Sequence, residues 1–314
     1  MPDPQKHDCA VVFCIDANFL QFSLFMIWQI AHLNPHRRFD FVIASQDDLV
    51  IPAWAKPYGI VLHRSGPYPE AAAGARFSGS MSTLFRIMLA RELGDCYRRI
   101  IYMDSDMYVA GGDLGRLLDI DLGPHQIGAV LDCRYFYLVA PHDEEFKAAG
   151  LPNLPYYNTG FQIIDTKAYR DQEVERRAFD ICHNTKRPIL KGDQTLLNMA
   201  LKGGFAQLAP CWNWQQDGLS PLLSHLYPVF HHHFIAARKP NLVVSRRLPV
   251  RFNQAYRDFM ALYAPDMLGA ISDQPKPRQL RLQEHIRMVF DTFTAGRITE
   301  AITARFPDPY RAIL

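Results

Sequence analysis

The sequence contains no C-x-x-C pair; its six cysteines (Cys9, Cys14, Cys96, Cys133, Cys182 and Cys211) are scattered. Such scatter argues against a disulfide framework or a cysteine zinc site, and points to a reducing compartment. Several of the six lie inside apolar, strand-like runs, where a thiol behaves as a small hydrophobe. A membrane-spanning run is also lacking. The longest apolar stretch, 19–33, is interrupted by Gln21, Ser23, Gln29 and His32 and is too short to cross a bilayer. The first residues have no apolar signal-peptide core. The expectation is a cytoplasmic protein, soluble or peripheral on the inner face of the membrane. There is no marked charge excess either: 34 Lys and Arg against 32 Asp and Glu leave a net charge of +2, so no nucleic-acid partner is expected. Internal repeats and low-complexity tracts are absent. Acidic residues are missing from one stretch in particular. Residues 218–257 contain no Asp or Glu but carry Arg238, Lys239, Arg246, Arg247, Arg251, Arg257, His225 and the run His231-His232-His233. An anion, either a phosphate ligand or an acidic membrane surface, is the natural partner of such a segment.

What is present is an alternation of strands and helices. The continuous apolar run 9–15 suits a strand covered on both faces. Asn18 is expected to cap a helix running to Leu33. Further strands are expected at 39–44, 58–63, 99–103, 126–131, 161–164, 205–208 and 229–231. Helices are expected at 81–93, 166–183 and 193–201, the last stopped by Gly203-Gly204. This order indicates an α/β domain with a largely parallel sheet. A Pro-, Gly- and Asp-rich linker at 265–277 precedes a helix bearing Leu282, Ile286, Val289, Phe290 and Phe293 as an amphipathic stripe. Docking of that stripe onto the main domain is expected, with a membrane surface as the alternative.

The strand 99–103 ends on Asp104-Ser-Asp106. Side chains two apart in extended chain point the same way, so this places paired carboxylates at the carboxyl end of a buried strand, where open α/β sheets bind ligands. Hard oxygen donors there suit Mg²⁺ or Mn²⁺, and such an ion suits a diphosphate. Other polar residues also fall at strand ends or helix starts: Asp16 and Asn18, Asp132, Asn158 before Gly160, Asp193 with Gln194, and His233.

Together, 13–19, 82–86, 101–106, 127–132, 156–160, 192–198 and 233–240 resemble glycosyltransferase family 8, a group of retaining sugar transferases, and occur in the family's order. The resemblance implies a GT-A fold: a Rossmann-like nucleotide-binding domain over 1–250 with a mostly parallel mixed sheet. A C-terminal helical extension over 251–314, open to a membrane role, would follow. It implies a UDP-sugar donor carrying a hexose, galactose or glucose, and a glycan or glycolipid hydroxyl as acceptor. Asp104, Asp106 and His233 match the metal ligands, His233 being picked from its run by the interval to Lys239. Two carboxylates and an imidazole favour Mn²⁺, with Mg²⁺ second. Asp16 and Asn18 match positions for the base and ribose, and Lys239 one that contacts the diphosphate. Arg86, Asp132, Asn158, Gly160, Asp193 and Gln194 match the sugar and acceptor pocket. Gln194 takes the position nearest the face beneath the anomeric carbon. A neutral amide is a poor nucleophile, so front-face attack is expected, with Asp193 holding sugar hydroxyls and serving as the fallback nucleophile. Three positions depart from the family pattern: Ser78 replaces an acceptor-site histidine of some relatives, Ala236 a glycine, and Asn241 an aromatic residue. The alternatives are a catalytically degenerate sugar-nucleotide binder and a nucleotidyltransferase. The latter usually carries a Gly-rich loop where this chain has Asp16-Ala-Asn18.

Overall fold

The computed structural model describes residues 6–70, 81–133, 143–185, 189, 191–216, 222–235, 239–240, 248–271 and 282–314. Ser78, Ala236, Arg238, Asn241, Arg246, Arg247 and the 272–277 half of the expected linker lie outside them.

The strands are β1 (Cys9–Cys14), β2 (Asp40–Ser45), β3 (Ile60–Arg64), β4 (Arg99–Met103), β5 (Met107–Val109), β6 (Ile127–Leu131), β7 (Tyr157–Asp165), β8 (Ala206–Gln207), β9 (Trp214–Gln215) and β10 (His231–His233). The helices are α1 (Leu20–Leu33), α2 (Phe85–Leu93), α3 (Leu114–Leu118), α4 (Glu144–Ala148), α5 (Thr166–Asp171), α6 (Val174–Asn184), α7 (Asp193–Leu201), α8 (Leu223–Leu226), α9 (Val250–Tyr263) and α10 (Leu282–Arg305).

The main sheet has the order β3-β2-β1-β4-β7-β6-β8. β7 runs antiparallel to β4 and β6, and the other neighbours pair in parallel. From β1 the chain builds outward through β2 and β3, then returns to place β4 on β1's other side. That reversal opens a crevice at the carboxyl ends of β1 and β4, where open α/β sheets take their ligands. The period-2 alternation of each strand sorts its apolar residues onto two layers. Val11, Phe13, Phe41, Ile43, Ile101 and Met103 pack against α1 on one face. Ala10, Val12, Val42, Ala44, Ile100 and Tyr102 pack against α2, α6 and α7 on the other. A smaller sheet, β5-β10-β9, stands beside the crevice, with β10 antiparallel to β5 and parallel to β9.

Four expectations need correction. Asn18 does not cap α1. Asp16 turns back to accept from the Asn18 N–H and opens a 3₁₀ turn at Ala17–Phe19, and α1 starts behind Phe19 without a side-chain cap. A short Asp side chain closes that two-residue turn readily. The expected helix 166–183 is two helices, broken at Glu173, whose φ of 50° lies in the left-handed region. The strand expected at 161–164 spans Tyr157–Asp165, because its polar first half is buried in side-chain hydrogen bonds. The apolar stripe of α10 does not dock: Leu282, Ile286, Val289, Phe290 and Phe293 are 59–76% exposed. The helix docks through its second half instead, where Ala295 and Ile302 enter the core, with Phe306 just past its end.

The cores also run past residue 250. Phe252, Tyr256, Phe259 and Met260 of α9 pack on Phe22 and Phe25 of α1, with Phe234 and Leu248. Beyond α10, Ile313 bonds Gln207 of β8 in both directions (2.8 and 3.0 Å). The Trp212 indole donates to the Pro309 carbonyl at 2.7 Å. No helix of the described residues is long and apolar enough to cross a membrane.

Candidate active site

A cavity of about 390 Å³ occupies the crevice beyond β1 and β4. Asp16 enters it after β1, Asp104 and Asp106 after β4, Asn158 and Gly160 from β7, Asp193 and Gln194 from the start of α7, and His233 from β10. Arg86 on α2 and Lys239 complete the residues expected from the sequence. Of the expected set, Asn18 and Asp132 do not line it. Asn18 is exposed, and Asp132 stands behind Gln194 and accepts from its Nε2 at 3.2 Å.

Three of these residues divide their polar atoms in the same way. Asp104 spends Oδ1 on the Arg86 guanidinium (2.8 Å) and on the Tyr102 hydroxyl. Asp106 spends Oδ2 on the Lys239 ammonium at 2.7 Å. His233 spends Nδ1 on Asn213 Oδ1 at 2.9 Å. The remaining atoms converge: His233 Nε2 lies 3.2 Å from Asp106 Oδ1 and 3.6 Å from Asp104 Oδ2. The three ligand atoms all lie within 4.8 Å of one another. Among the described residues, Asp106 Oδ1 is buried without a hydrogen-bond partner. Leaving a buried carboxylate oxygen unsatisfied is costly unless a cation answers it. The donor set therefore fits a divalent ion, and the imidazole favours a transition metal over Ca²⁺.

The histidine run resolves by the partners of each ring. His231 is fully buried, with Nδ1 on the Trp212 carbonyl, and His232 meets Gln216. Burial lowers both, to about 3 and about 4, so they stay neutral packing residues. His233 alone of the three faces the acids.

The charges inside the site support one another. Burial by itself would raise the Asp106 carboxyl, but Lys239 and His233 outweigh it and hold it well below the carboxylate range. Lys239 is raised in turn, chiefly by Asp106. Burial works against the Arg86 cation, yet Asp104 and Asp193 more than restore it. Arg86 also reaches Asp193 at 3.3 Å and Thr159 at 3.1 and 3.2 Å, and lies over the Tyr102 ring. Burial raises Asp193 despite that ion pair and the bonds from Thr159 and Thr83. The sequence reading missed Asn213, Thr159, Tyr102 and Lys191. Lys191 lines the cavity while pairing with Asp143 and stacking on Tyr156. Asn213 sits between two tryptophans, and nothing in its local pattern marks it.

The model of Glycosyl transferase family 8 matches residues 10–240, well over half of the chain. The chain belongs to that family. Among curated relatives, it is 27% identical over 205 residues to the lipopolysaccharide 1,2-glucosyltransferase of Escherichia coli strain K12, covering 62% of this chain and 58% of the relative. It is 30% identical over 121 residues to general stress protein A of Bacillus subtilis, covering 38% and 40%. The chain spans from about a quarter to three-fifths of the length of the curated relatives it matches. Among solved structures, galactosyltransferase LgtC in complex with donor and acceptor sugar analogs superposes with a TM-score of 0.62 at 18% identity, covering 88% of this chain and 99% of that one. An active-site mutant of LgtC gives 0.66 at 19%, covering 83% and 100%. At that identity the likeness shows the fold, which is GT-A, an α/β architecture.

Proposed function

From membership in glycosyltransferase family 8 we infer that the chain moves a hexose, glucose or galactose, from a UDP-sugar to a hydroxyl of a glycan or glycolipid acceptor. The observation that carries this reading is the convergence of Asp104 Oδ2, Asp106 Oδ1 and His233 Nε2, each on a residue whose other polar atom is already engaged. Those three atoms would hold Mn²⁺, with Mg²⁺ as the second choice. When bound there, the ion offsets the charge of the donor diphosphate and of the departing UDP. Lys239 is within reach of the same diphosphate and adds to that stabilisation as a mobile point charge. Asp16, at the carboxyl end of β1, takes the nucleoside end of the donor, and Asn18 beyond it contributes at the rim. Arg86, Asn158 and Gly160 frame the sugar, and Asp132 acts on it from behind, by holding Gln194. Gln194 lies on the face opposite the leaving group, where an amide orients the sugar and does not attack. Asp193 is tied to Arg86 and Thr159, which suits holding hydroxyls better than leaving to form a bond. Attack from the front face, with retention, follows. Lipopolysaccharide or another surface polysaccharide is the acceptor class, as the relatives' names suggest. The uncovered α10 stripe would rest on an anionic membrane where such acceptors are assembled.

The test is UDP release from UDP-glucose and UDP-galactose with Mn²⁺, with and without chelator. Slow release with one sugar, abolished by chelator and by Asp104→Asn/Asp106→Asn, is expected. Failure to release UDP from, or to bind, either nucleotide overturns the reading.

A further inference from the structure

His233, which faces the two aspartates, and Gln194, which lines the far part of the same cavity, are joined through two asparagines, Asn213 and Asn158. The direction of every hydrogen bond between them is fixed. The Gly160 backbone N–H can only donate, and it donates to Asn158 Oδ1 at 3.0 Å. Asn158 therefore presents Nδ2 on its other side, to Gln194 Oε1 at 3.1 Å. Asn213 Nδ2 donates to the same Asn158 Oδ1 at 2.9 Å, which turns Asn213 Oδ1 toward His233 Nδ1 at 2.9 Å. A carbonyl oxygen only accepts, so in the neutral ring Nδ1 carries the proton and Nε2 is left bare. Nε2 is the atom aimed at Asp104 and Asp106. The far end agrees independently: Gln194 donates from Nε2 to the Asp132 carboxylate, which leaves Oε1 for Asn158. An amide's orientation is ordinarily open to a flip. Here an obligate donor in the middle and an obligate acceptor at one end leave a single proton order.

We propose that Asn213 is a positioning residue that fixes the ring of His233 in the Nδ1–H tautomer, so that Nε2 is bare toward the two aspartates. Through Asn158 the same bonds tie this ring to the sugar-facing amide of Gln194. The proposal deepens the metal-dependent reading and rests on it for its purpose. Asn213 is fully buried, and a buried amide there costs free energy unless both ends are bonded, as they are. Partners that fix the free nitrogen of a ligating histidine commonly change metal affinity ten- to a hundredfold, roughly.

The test uses the full, metal-free chain with ¹⁵N-labelled histidine. Two-bond proton–nitrogen spectra are recorded at alkaline pH, and the His233 signal is assigned by its loss in His233→Gln. The wild type is expected to show only the Nδ1–H tautomer. Asn213→Leu is expected to give a tautomer mixture and a roughly ten- to hundredfold weaker Mn²⁺ affinity by calorimetry. Asn213→Asp, of equal size, still accepts from Nδ1 and should keep the Nδ1–H tautomer although it no longer donates to Asn158; a merely space-filling role would predict that Asn213→Leu, of similar size, keeps the tautomer as well. Should Asn213→Leu fail to fold, the wild-type spectrum and Asn213→Asp decide alone. An Nε2–H ring in the wild type, or unchanged tautomer and affinity in Asn213→Leu, overturns the proposal. The expected tautomers in a chain that neither binds Mn²⁺ nor releases UDP would uphold the role of Asn213 and overturn the transferase reading instead.

Discussion

Gly160 carries more of the site than its missing side chain suggests. A Cβ there would lie 2.3 Å from His233 Cε1 and 2.8 Å from Asp104 Oδ2. Neither neighbour can retreat: Asn213 holds the ring, and Arg86 with Tyr102 holds the carboxylate. Gly160→Ala should therefore cost about 1–3 kcal/mol of stability, the usual penalty of overpacking. It should also weaken Mn²⁺ binding more than tenfold, and a thermal melt beside calorimetry checks both. Unchanged affinity would mean that the two ligand residues move freely. The sequence carries the two converging aspartates because carboxylates at a strand's end form a recognisable pattern. It carries Gly160 only through resemblance. It does not reveal Asn213, since an asparagine becomes a histidine's partner only through folding that brings position 213 to position 233.

Between elements, the pairing of α7 with β7 sets where Asp193 and Gln194 stand. The Asn198 side chain acts as a short piece of strand, accepting from the Tyr157 N–H at 2.8 Å and donating to the Tyr157 carbonyl at 2.9 Å. Both groups are buried, so Asn198→Leu strands a donor and an acceptor. A loss of roughly 2–4 kcal/mol is expected, with turnover falling in the fraction that remains folded; denaturant melts and UDP release check this. The β3–α2 side offers a pH test. Burial pushes Glu92 up, but the His63 ring and the Gly66 N–H bonded to it bring it below its ordinary 4.5. An acid depressed in the fold stabilises above its unfolded value, and that contribution fades as pH falls through the folded one. Glu92→Gln should thus melt below wild type at pH 6, with the gap narrower at pH 3. An equal gap at both values would show that the carboxylate's charge is irrelevant. The long apolar strands and the α7 start were legible because their periodicity is local. β5 and β9 were not: two or three residues are too few to show a period, and they are strands only through β10 between them. The antiparallel β7 was half hidden for the opposite reason, since its polar residues serve the site.

At the scale of the whole molecule, the first half of α10 is an apolar surface left uncovered among the described residues. Cutting the chain before this helix is a poor probe, because the cut also removes Ala295, Ile302 and Phe306 from the core and the 306–314 tail from Trp212 and β8. Point variants separate the two halves. Phe290 and Phe293 are 67% and 76% exposed, so Phe290→Ser/Phe293→Ser removes apolar surface that the fold leaves uncovered. Surface changes of this kind shift stability by about 0.5 kcal/mol or less. The melting temperature should therefore barely move. Binding to the membrane is another matter. An interfacial helix holds on by its buried apolar area together with attraction to anionic lipid, and two phenylalanines are a large part of this stripe. Sedimentation with phosphatidylglycerol-containing vesicles should fall severalfold in the variant, while UDP release with a soluble acceptor stays level because the cavity lies on other elements. Equal sedimentation of variant and wild type would detach α10 from the membrane, and the acceptor would then have to reach the crevice by its own affinity for it.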